Sequence, residues 1–188
     1  MALLDRLAGA VSISFFFQNI WLVMLTTPSA RGTSLNFLAR RLPQLEVDEG
    51  NICYLYSSNG LMECCPDMTD VVGKDIGLMI RAFSAALEDE NLLVRRGALD
   101  ILLQSIRVNS YTVKRAQKDD RAILMRAATG VVLRRDLSLN RRLYTWLLGS
   151  EEKNEAQVQY LKDNALELLG STLRVRKFAS YIICLDLT

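Results

Sequence analysis

Three cysteines, Cys53, Cys64 and Cys65, lie near one another in the chain and could supply thiolates to a metal, while Cys184 stands apart. Thiolate zinc sites are built on Cys-x-x-Cys pairs and need further ligands to close a tetrahedron. The sequence offers no such pair, so these read as unpaired loop or core cysteines. The segment Val72-Gly73-Lys74-Asp75 has the Gly-Lys of a phosphate-binding loop without its first glycine or the Ser/Thr that follows the lysine. It reads as the start of a helix. Asp119-Asp120 and Glu151-Glu152 are paired acids, but they fall where helices begin, and the helix dipole accounts for them. The chain has no histidine, which removes Ser-His-Asp and Cys-His nucleophile activation, histidine-rich zinc sites and the usual general base together. No catalytic residue, metal or cofactor is expected, and the expectation is a protein that is not an enzyme.

The residues left with chemical potential are arginines. They far outnumber the lysines and occur as Arg95-Arg96, Arg134-Arg135 and Arg141-Arg142, each near a turn between helices. A guanidinium favours bidentate, partly buried pairing. One reading is therefore structural, with the pairs bonding helix C-terminal carbonyls and turn carboxylates such as Asp89, Glu90 and Asp136. The other is a basic ridge that meets an acidic protein partner or anionic lipid head groups, each charge adding about 1 kcal/mol near a membrane. These six arginines are the candidate partner-binding residues.

Helices must position them. In a chain of 188 residues, 50% apolar with three prolines, the abundance of Leu, Ala and Arg points to one all-α domain. Periodicity predicts helices over Leu3 to Thr26 and Ser29 to Leu42, with Pro28 in the turn and Leu35, Leu38 and Leu42 as an inward stripe. Residues 44–73 carry no sustained periodicity and read as a long loop, with a short helical or extended piece at Ile52 to Tyr56. Helices resume over Lys74 to Glu88 (Ile76, Met79, Ile80, Phe83 and Leu87 inward) and Leu92 to Val108 (Leu92, Leu99, Leu102 and Ile106 inward). Asn109 to Asp120 is a connection. Ala122 to Arg134 follows, then Leu139 to Leu148, capped by Asp136 or Ser138, facing inward with Leu139, Leu143, Trp146 and Leu147 and ending at Gly149. Asn154 with Gln157 reads as a capping box for Ala156 to Leu173, whose inward face is Val158, Leu161, Ala165, Leu168 and Leu169. Phe178 to Leu187 is a helix or strand without a partner.

Repetition organises these elements. Pro28 to Arg31, Asn91 to Arg96 and Ser138 to Arg142 each place a small polar cap a few residues before one or two arginines. Arg95 and Arg141 are 46 residues apart, within the HEAT and armadillo range, and Arg31 and Arg95 are 64 apart, one repeat enlarged by the 44–73 loop. The expected fold is an all-α, HEAT/armadillo-like right-handed α-solenoid of about three helix pairs plus a leftover C-terminal helix.

Two further features bear on function. Leu7 to Ala30 carries no charge, so a small integral membrane protein anchored by residues 7–26 is one alternative. Gln18 and Asn19 in its middle, and the absence of a basic flank, favour a core helix instead. Net charge is +2, but residues 43–90 hold ten acids against Lys74 and Arg81, while residues 107–142 hold ten bases against three acids. That basic stretch has few interleaved aromatics, so a nucleic-acid partner is not expected.

The run from Val131 to Gly149 (VVLRRDLSLNRRLYTWLLG) closely resembles the N-terminal conserved region of the Dopey family. Phe17 to Leu22, Pro28 to Arg31, Arg40 to Pro43 and Asn91 to Leu103 support the resemblance, which covers roughly residues 15–150. Dopey proteins are very long, so the resemblance implies a single domain over residues 1–188 that is a fragment or shortened product of an N-terminal helical array. It also implies a protein-interaction scaffold in traffic between endosomes and the trans-Golgi network, cytoplasmic and peripherally attached to those membranes. The partners it implies are a Sec7-related large scaffold, an aminophospholipid flippase and kinesin light chain.

Overall fold

The computed structural model describes residues 2–42, 54–56, 62–64, 75–150 and 153–174. The first helical run divides in two, α1 (Ala2–Ala10) and α2 (Ile13–Thr26). Ser12 makes the break: its backbone is extended and its hydroxyl accepts the Phe15 N–H, so the segment restarts as a capped helix. At 14 residues α2 is about 21 Å long. No helix of the described residues is long and apolar enough to cross a membrane. The apolar run has another use, since Phe16, Phe17, Ile20, Trp21 and Met24 are buried in the core.

A 3-10 turn at Pro28–Ala30 leads into α3 (Arg31–Arg41), with Leu35, Phe37 and Leu38 buried. Within the stretch read as a loop, β1 (Tyr54–Tyr56) pairs antiparallel with β2 (Met62–Cys64), Leu55 opposite Glu63. Ile52 to Tyr56 is thus extended in its described part, and the remainder of 44–73 lies outside the described residues, as do Cys53, Cys65 and the 178–187 segment. Next come α4 (Ile76–Leu87), capped by Asp75, and α5 (Leu92–Ser105), capped by Asn91. Their expected inward residues are buried, apart from half-buried Ile76 and Leu92.

Beyond α5 the sequence reading needs three corrections. The connection at 109–120 contains a short helix, α6 (Tyr111–Arg115), because Ser110 caps it through the Val113 N–H. Helix α7 spans Lys118–Gly130 and tightens into a 3-10 turn at Val131–Arg134. The last predicted helix begins as α9 (Asn154–Asn164) after α8 (Leu137–Leu148), and it breaks at Ala165 before a second helical segment, residues 166–174. No Asn154 capping box forms, since Lys153 holds the N-cap position without a side-chain bond. Val158, expected inward, is 48% exposed, while Ala165 is buried and Leu161, Leu168 and Leu169 pack on the core. The chain turns at Ala165, so a single stripe drawn from 158 to 169 cannot stay on one side.

The helices pack in two layers. Helices α2, α4 and α7 lie in succession in one, and α3, α5 and α8 in the other. Each wide stripe is buried from two directions, as α4 shows: Met79, Ile80, Ala82, Phe83, Ala86 and Leu87 are all buried. Two contacts fix the spacing. Gly77 on α4 lets α7 approach so closely that a methyl group there would overlap the Asp120 carboxylate and lie 2.9 Å from Arg81 Nη2. Asp120 is buried and pairs with Arg81 at 3.7 Å, a role the dipole reading of Asp119-Asp120 did not include. In the other layer Trp146 of α8 is 2% exposed and donates its indole N–H to the Ile106 carbonyl at the end of α5. Gly149 ends α8 with φ +79, a conformation L side chains rarely adopt, and its α-carbon faces the Tyr160 ring.

Trp146→Ala should cost about 3–5 kcal/mol, the range for an aromatic-to-cavity change in a core, and chemical denaturation reads it directly. Arg141→Ala, on the exposed side of the same helix, should cost well under 1 kcal/mol. Equal, small effects would mean that α8 does not bury the Trp146 face. Gly77→Ala should lower stability by about 1–3 kcal/mol, as overpacking does, and Asp120→Ala in the same background should cost less than it does alone, because the overlap is then gone.

Candidate interaction surface

The turns between paired helices carry the arginines, and the structure divides them into two groups. Arg31, at the start of α3, donates Nε to the Met24 carbonyl at 2.8 Å and Nη2 to that of Leu25 at 3.5 Å, satisfying the C-terminal end of α2. Its Nη1 reaches Asp89, in the α4–α5 turn, at 2.7 Å. Arg95 repeats the first half of this arrangement one pair later, with Nη1 on the carbonyls of Asp89 and Glu90. Arg96 repeats the second half: Nη2 donates to the Ser138 hydroxyl at 2.9 Å, and that hydroxyl donates to Asp136 at 2.6 Å in the turn before α8. Arg142 closes the series backwards, with Nε on Asp100 of α5 at 2.5 Å and Nη1 on the Ser138 carbonyl at 3.1 Å.

These contacts set the charge states of the turn acids. Burial pushes the Asp89 carboxyl up. The Asn91 N–H, the Arg31 hydrogen bond and the positive charges of Arg31 and Arg95 outweigh that, and hold it below the ordinary carboxylate value. Asp136 is also held low, first by the Ser138 hydroxyl and then by the Leu139 N–H, with Arg96 adding its charge. Arg95, Arg96 and Arg142 therefore follow the structural reading. Arg31 was visible in the sequence only as one member of the repeated cap pattern, and it proves to belong with them.

Arg134, Arg135 and Arg141 differ. All three are exposed, and none has a side-chain hydrogen bond or ion pair among the described residues. Arg135 sits in the left-handed region at φ 55, the sole non-glycine residue with positive φ among those described. Around them stand apolar side chains that the core does not use: Leu133 is 67% exposed, Leu137 86% and Tyr144 51%. Leu137, Arg141 and Tyr144 occur at i, i+4 and i+7 on the side of α8 away from Leu139, Leu143 and Trp146, and together they line an open groove that extends to Gln157 of α9. Leu133 and Arg134 border a second groove with Glu88 and Arg126. The α7–α8 turn is thus a ridge of cations and large apolar groups between two grooves. Its apolar half was missed in the sequence, although the i, i+4, i+7 spacing opposite the core stripe was the signal.

No group of three or more His, Cys, Asp or Glu able to hold a metal occurs among the described residues. The surface offers van der Waals area, hydrogen-bond donors and positive charge.

Comparison with known proteins places the chain. Residues 1–152 match the family described as Dopey, N-terminal. Among curated relatives, Protein dop1 of Emericella nidulans is 38% identical over 141 residues, covering 73% of this chain and 8% of that protein. Protein DOP1B of Mus musculus is 34% identical, covering 84% of this chain and 6% of that one, and Protein DOP1 of Saccharomyces cerevisiae is 31% identical over 72% of this chain and 9% of its own. The chain spans less than a tenth of the length of these relatives. No solved structure matches. The family resemblance drawn from residues 131–149 therefore holds over most of the sequence, and the chain belongs to the Dopey family through its N-terminal region.

Proposed function

We propose that this chain is a non-enzymatic interaction scaffold of endosome and Golgi membrane traffic, a HEAT-like solenoid that presents the α7–α8 ridge to a protein partner. The observation that carries the reading is the division of the arginines. Those in the turns of α3 and α5 are consumed by structure, while Arg134, Arg135 and Arg141 stand unpaired among the described residues beside Leu133 and Leu137. Exposed leucines next to unpaired cations suit a partner surface that is apolar with acidic margins. The setting proposed with it is a cytoplasmic protein attached peripherally to trans-Golgi and endosome membranes, with a Sec7-related large scaffold, an aminophospholipid flippase and kinesin light chain as the partners to test.

Arg135 allows the same reading to be tested separately. A non-glycine residue in the left-handed region is disfavoured by about 1 kcal/mol or more relative to glycine, and Arg135 makes no side-chain hydrogen bond or ion pair among the described residues to offset it. The conformation itself serves the fold, since Arg135 is the left-handed cap of the 3-10 turn and its N–H donates to the Val132 carbonyl, so only its side chain is left over for recognition. Arg135→Gly should therefore raise stability by about 1 kcal/mol while weakening partner capture. A stability gain with unchanged binding to every partner would remove Arg135 from the surface.

The main test uses the purified chain against each of the three partners in turn. The double variant Leu133→Asp/Leu137→Asp should weaken the productive interaction at least about tenfold, a loss of roughly 1.4 kcal/mol or more, with an unchanged melting temperature. If none of the partners binds, or the variant binds as well as the parent, the ridge is not the interface.

The structural arginines give a separate outcome. Removing one partner of a shielded, hydrogen-bonded pair leaves the other uncompensated, so Arg31→Ala should destabilise by about 1–3 kcal/mol. Because the Asp89 carboxyl is held below its ordinary value of 3.8 in the folded chain, its contribution is complete above the unfolded value and is lost as pH falls through the folded one. Stability measured from pH 6 down to pH 3 should fall less steeply in Asp89→Asn than in the parent.

A further inference from the structure

Away from the ridge, a recess of about 210 Å³ lies between α6, the start of α7 and the 166–174 segment. Lys114, Lys118, Arg121 and Lys162 line it, with Asp163 and Glu167 on one side. One water needs roughly 10–15 Å³ on the same measure, so a tetrahedral oxyanion fits with hydrating water. Four cations converge here against two carboxylates, and none of the four has a hydrogen bond or ion pair among the described residues, while Asp163 already accepts from the Gln159 amide at 2.8 Å.

Arg121 distinguishes the recess from an ordinary basic surface. It is half-buried, and its Nε is shielded from solvent with no acceptor. Arg95 and Arg96 also leave Nε unmatched, but each engages its guanidinium elsewhere, on turn carbonyls or on Ser138. Arg121 engages nothing among the described residues. A guanidinium without an acceptor is costly, and Asp163 and Glu167 offset only half of the four positive charges at this concavity. The net excess of two positive charges matches a dianion.

We propose that this recess binds a doubly charged phosphorus oxyanion, a phosphate monoester or pyrophosphate group, held by the outer guanidinium nitrogens of half-buried Arg121 and by the exposed Lys114, Lys118 and Lys162. A guanidinium presents paired N–H groups to phosphate oxygens, and the lysines add compact charge from the open side. The site is separate from the ridge of Arg134, Arg135 and Arg141, so a phosphorylated ligand and a protein partner can be held together.

The experiment is calorimetric titration of the 188-residue chain with inorganic pyrophosphate at constant ionic strength, beside flotation with vesicles of phosphatidic acid in phosphatidylcholine. Vesicles of equal charge made with phosphatidylserine, which lacks a phosphate monoester, are the lipid control. Saturable binding of pyrophosphate identifies a soluble ligand, and binding to phosphatidic acid vesicles alone identifies a lipid head group; either supports the site if it depends on Arg121. Arg121→Gln should weaken binding at least about tenfold, and Lys118→Gln several-fold. Arg126→Gln removes the same charge from α7 outside the recess and should change nothing. Should Arg121→Gln lose its helical spectrum, Lys118→Gln and Lys162→Gln, both at exposed positions, carry the test. The proposal is overturned if neither probe binds, if phosphatidylserine vesicles bind equally well, or if Arg126→Gln weakens binding as much as the recess variants do.

Discussion

The second layer of this fold depends on one recurring contact, an arginine near the start of a helix that reaches the acidic turn of the next pair. Arg31 meets Asp89 and Arg96 meets Asp136 through Ser138, while Arg142 returns from α8 to Asp100 on α5. The Arg31 contact serves two requirements at once. Helix ends leave carbonyls without partners, and a guanidinium has enough donors to serve them and a carboxylate together. Hydrophobic packing alone would let stacked helices slide or rotate, since it is non-directional. The arginine contacts have a direction and a length, so they fix how far α5 is displaced from α3 and α8 from α5.

The first layer reaches the same end by different means. Its helices approach through apolar faces, with Trp21 of α2 against Phe83 of α4 at a ring separation of 5.6 Å, and with Gly77 giving Asp120 room at the α4–α7 contact. One layer is therefore set chiefly by shape and the other chiefly by charge. Trp146 ties consecutive pairs together in the second layer by combining both, burying its ring and donating to the open carbonyl of Ile106.

Much of this was legible in the sequence because it rests on the 3.6-residue period. The inward faces of α3, α4, α5 and α8 follow from stripes such as Leu139, Leu143, Trp146 and Leu147, and the helix end at Gly149 follows from the residue type. What was illegible turned on single side chains with a choice. Ser12 sits inside an apolar run that reads as one helix, and only its cap to Phe15 shows that there are two. Ala165 is a good helix former, yet the chain breaks there, which moves Val158 out of the core. Ser110 starts a short helix in a stretch too polar to show periodicity. Tertiary packing decides such positions and local propensity does not.

The arginines show the same limit at the level of function. Arg95, Arg96, Arg134, Arg135, Arg141 and Arg142 look alike as three pairs, and sequence alone sets apart only Arg141, which falls opposite the inward stripe of its helix. Helical phase separates the third pair: Arg142 lies on the side of α8 that faces Asp100, whereas Arg141 shares its side with Leu137 and Tyr144. Turn geometry separates the first from the second. Arg95 follows a tight turn whose carbonyls lie within its reach, but the 3-10 turn before Arg135 ends in a left-handed residue that directs the chain into Asp136 and leaves both arginines outside. Arginines near the turns thus make stacking contacts where a neighbouring turn supplies an acceptor and stay exposed where none of the described residues does. One residue type therefore stacks the helix pairs through its paired members and leaves Arg134, Arg135 and Arg141 on the surface at and beside the α7–α8 turn.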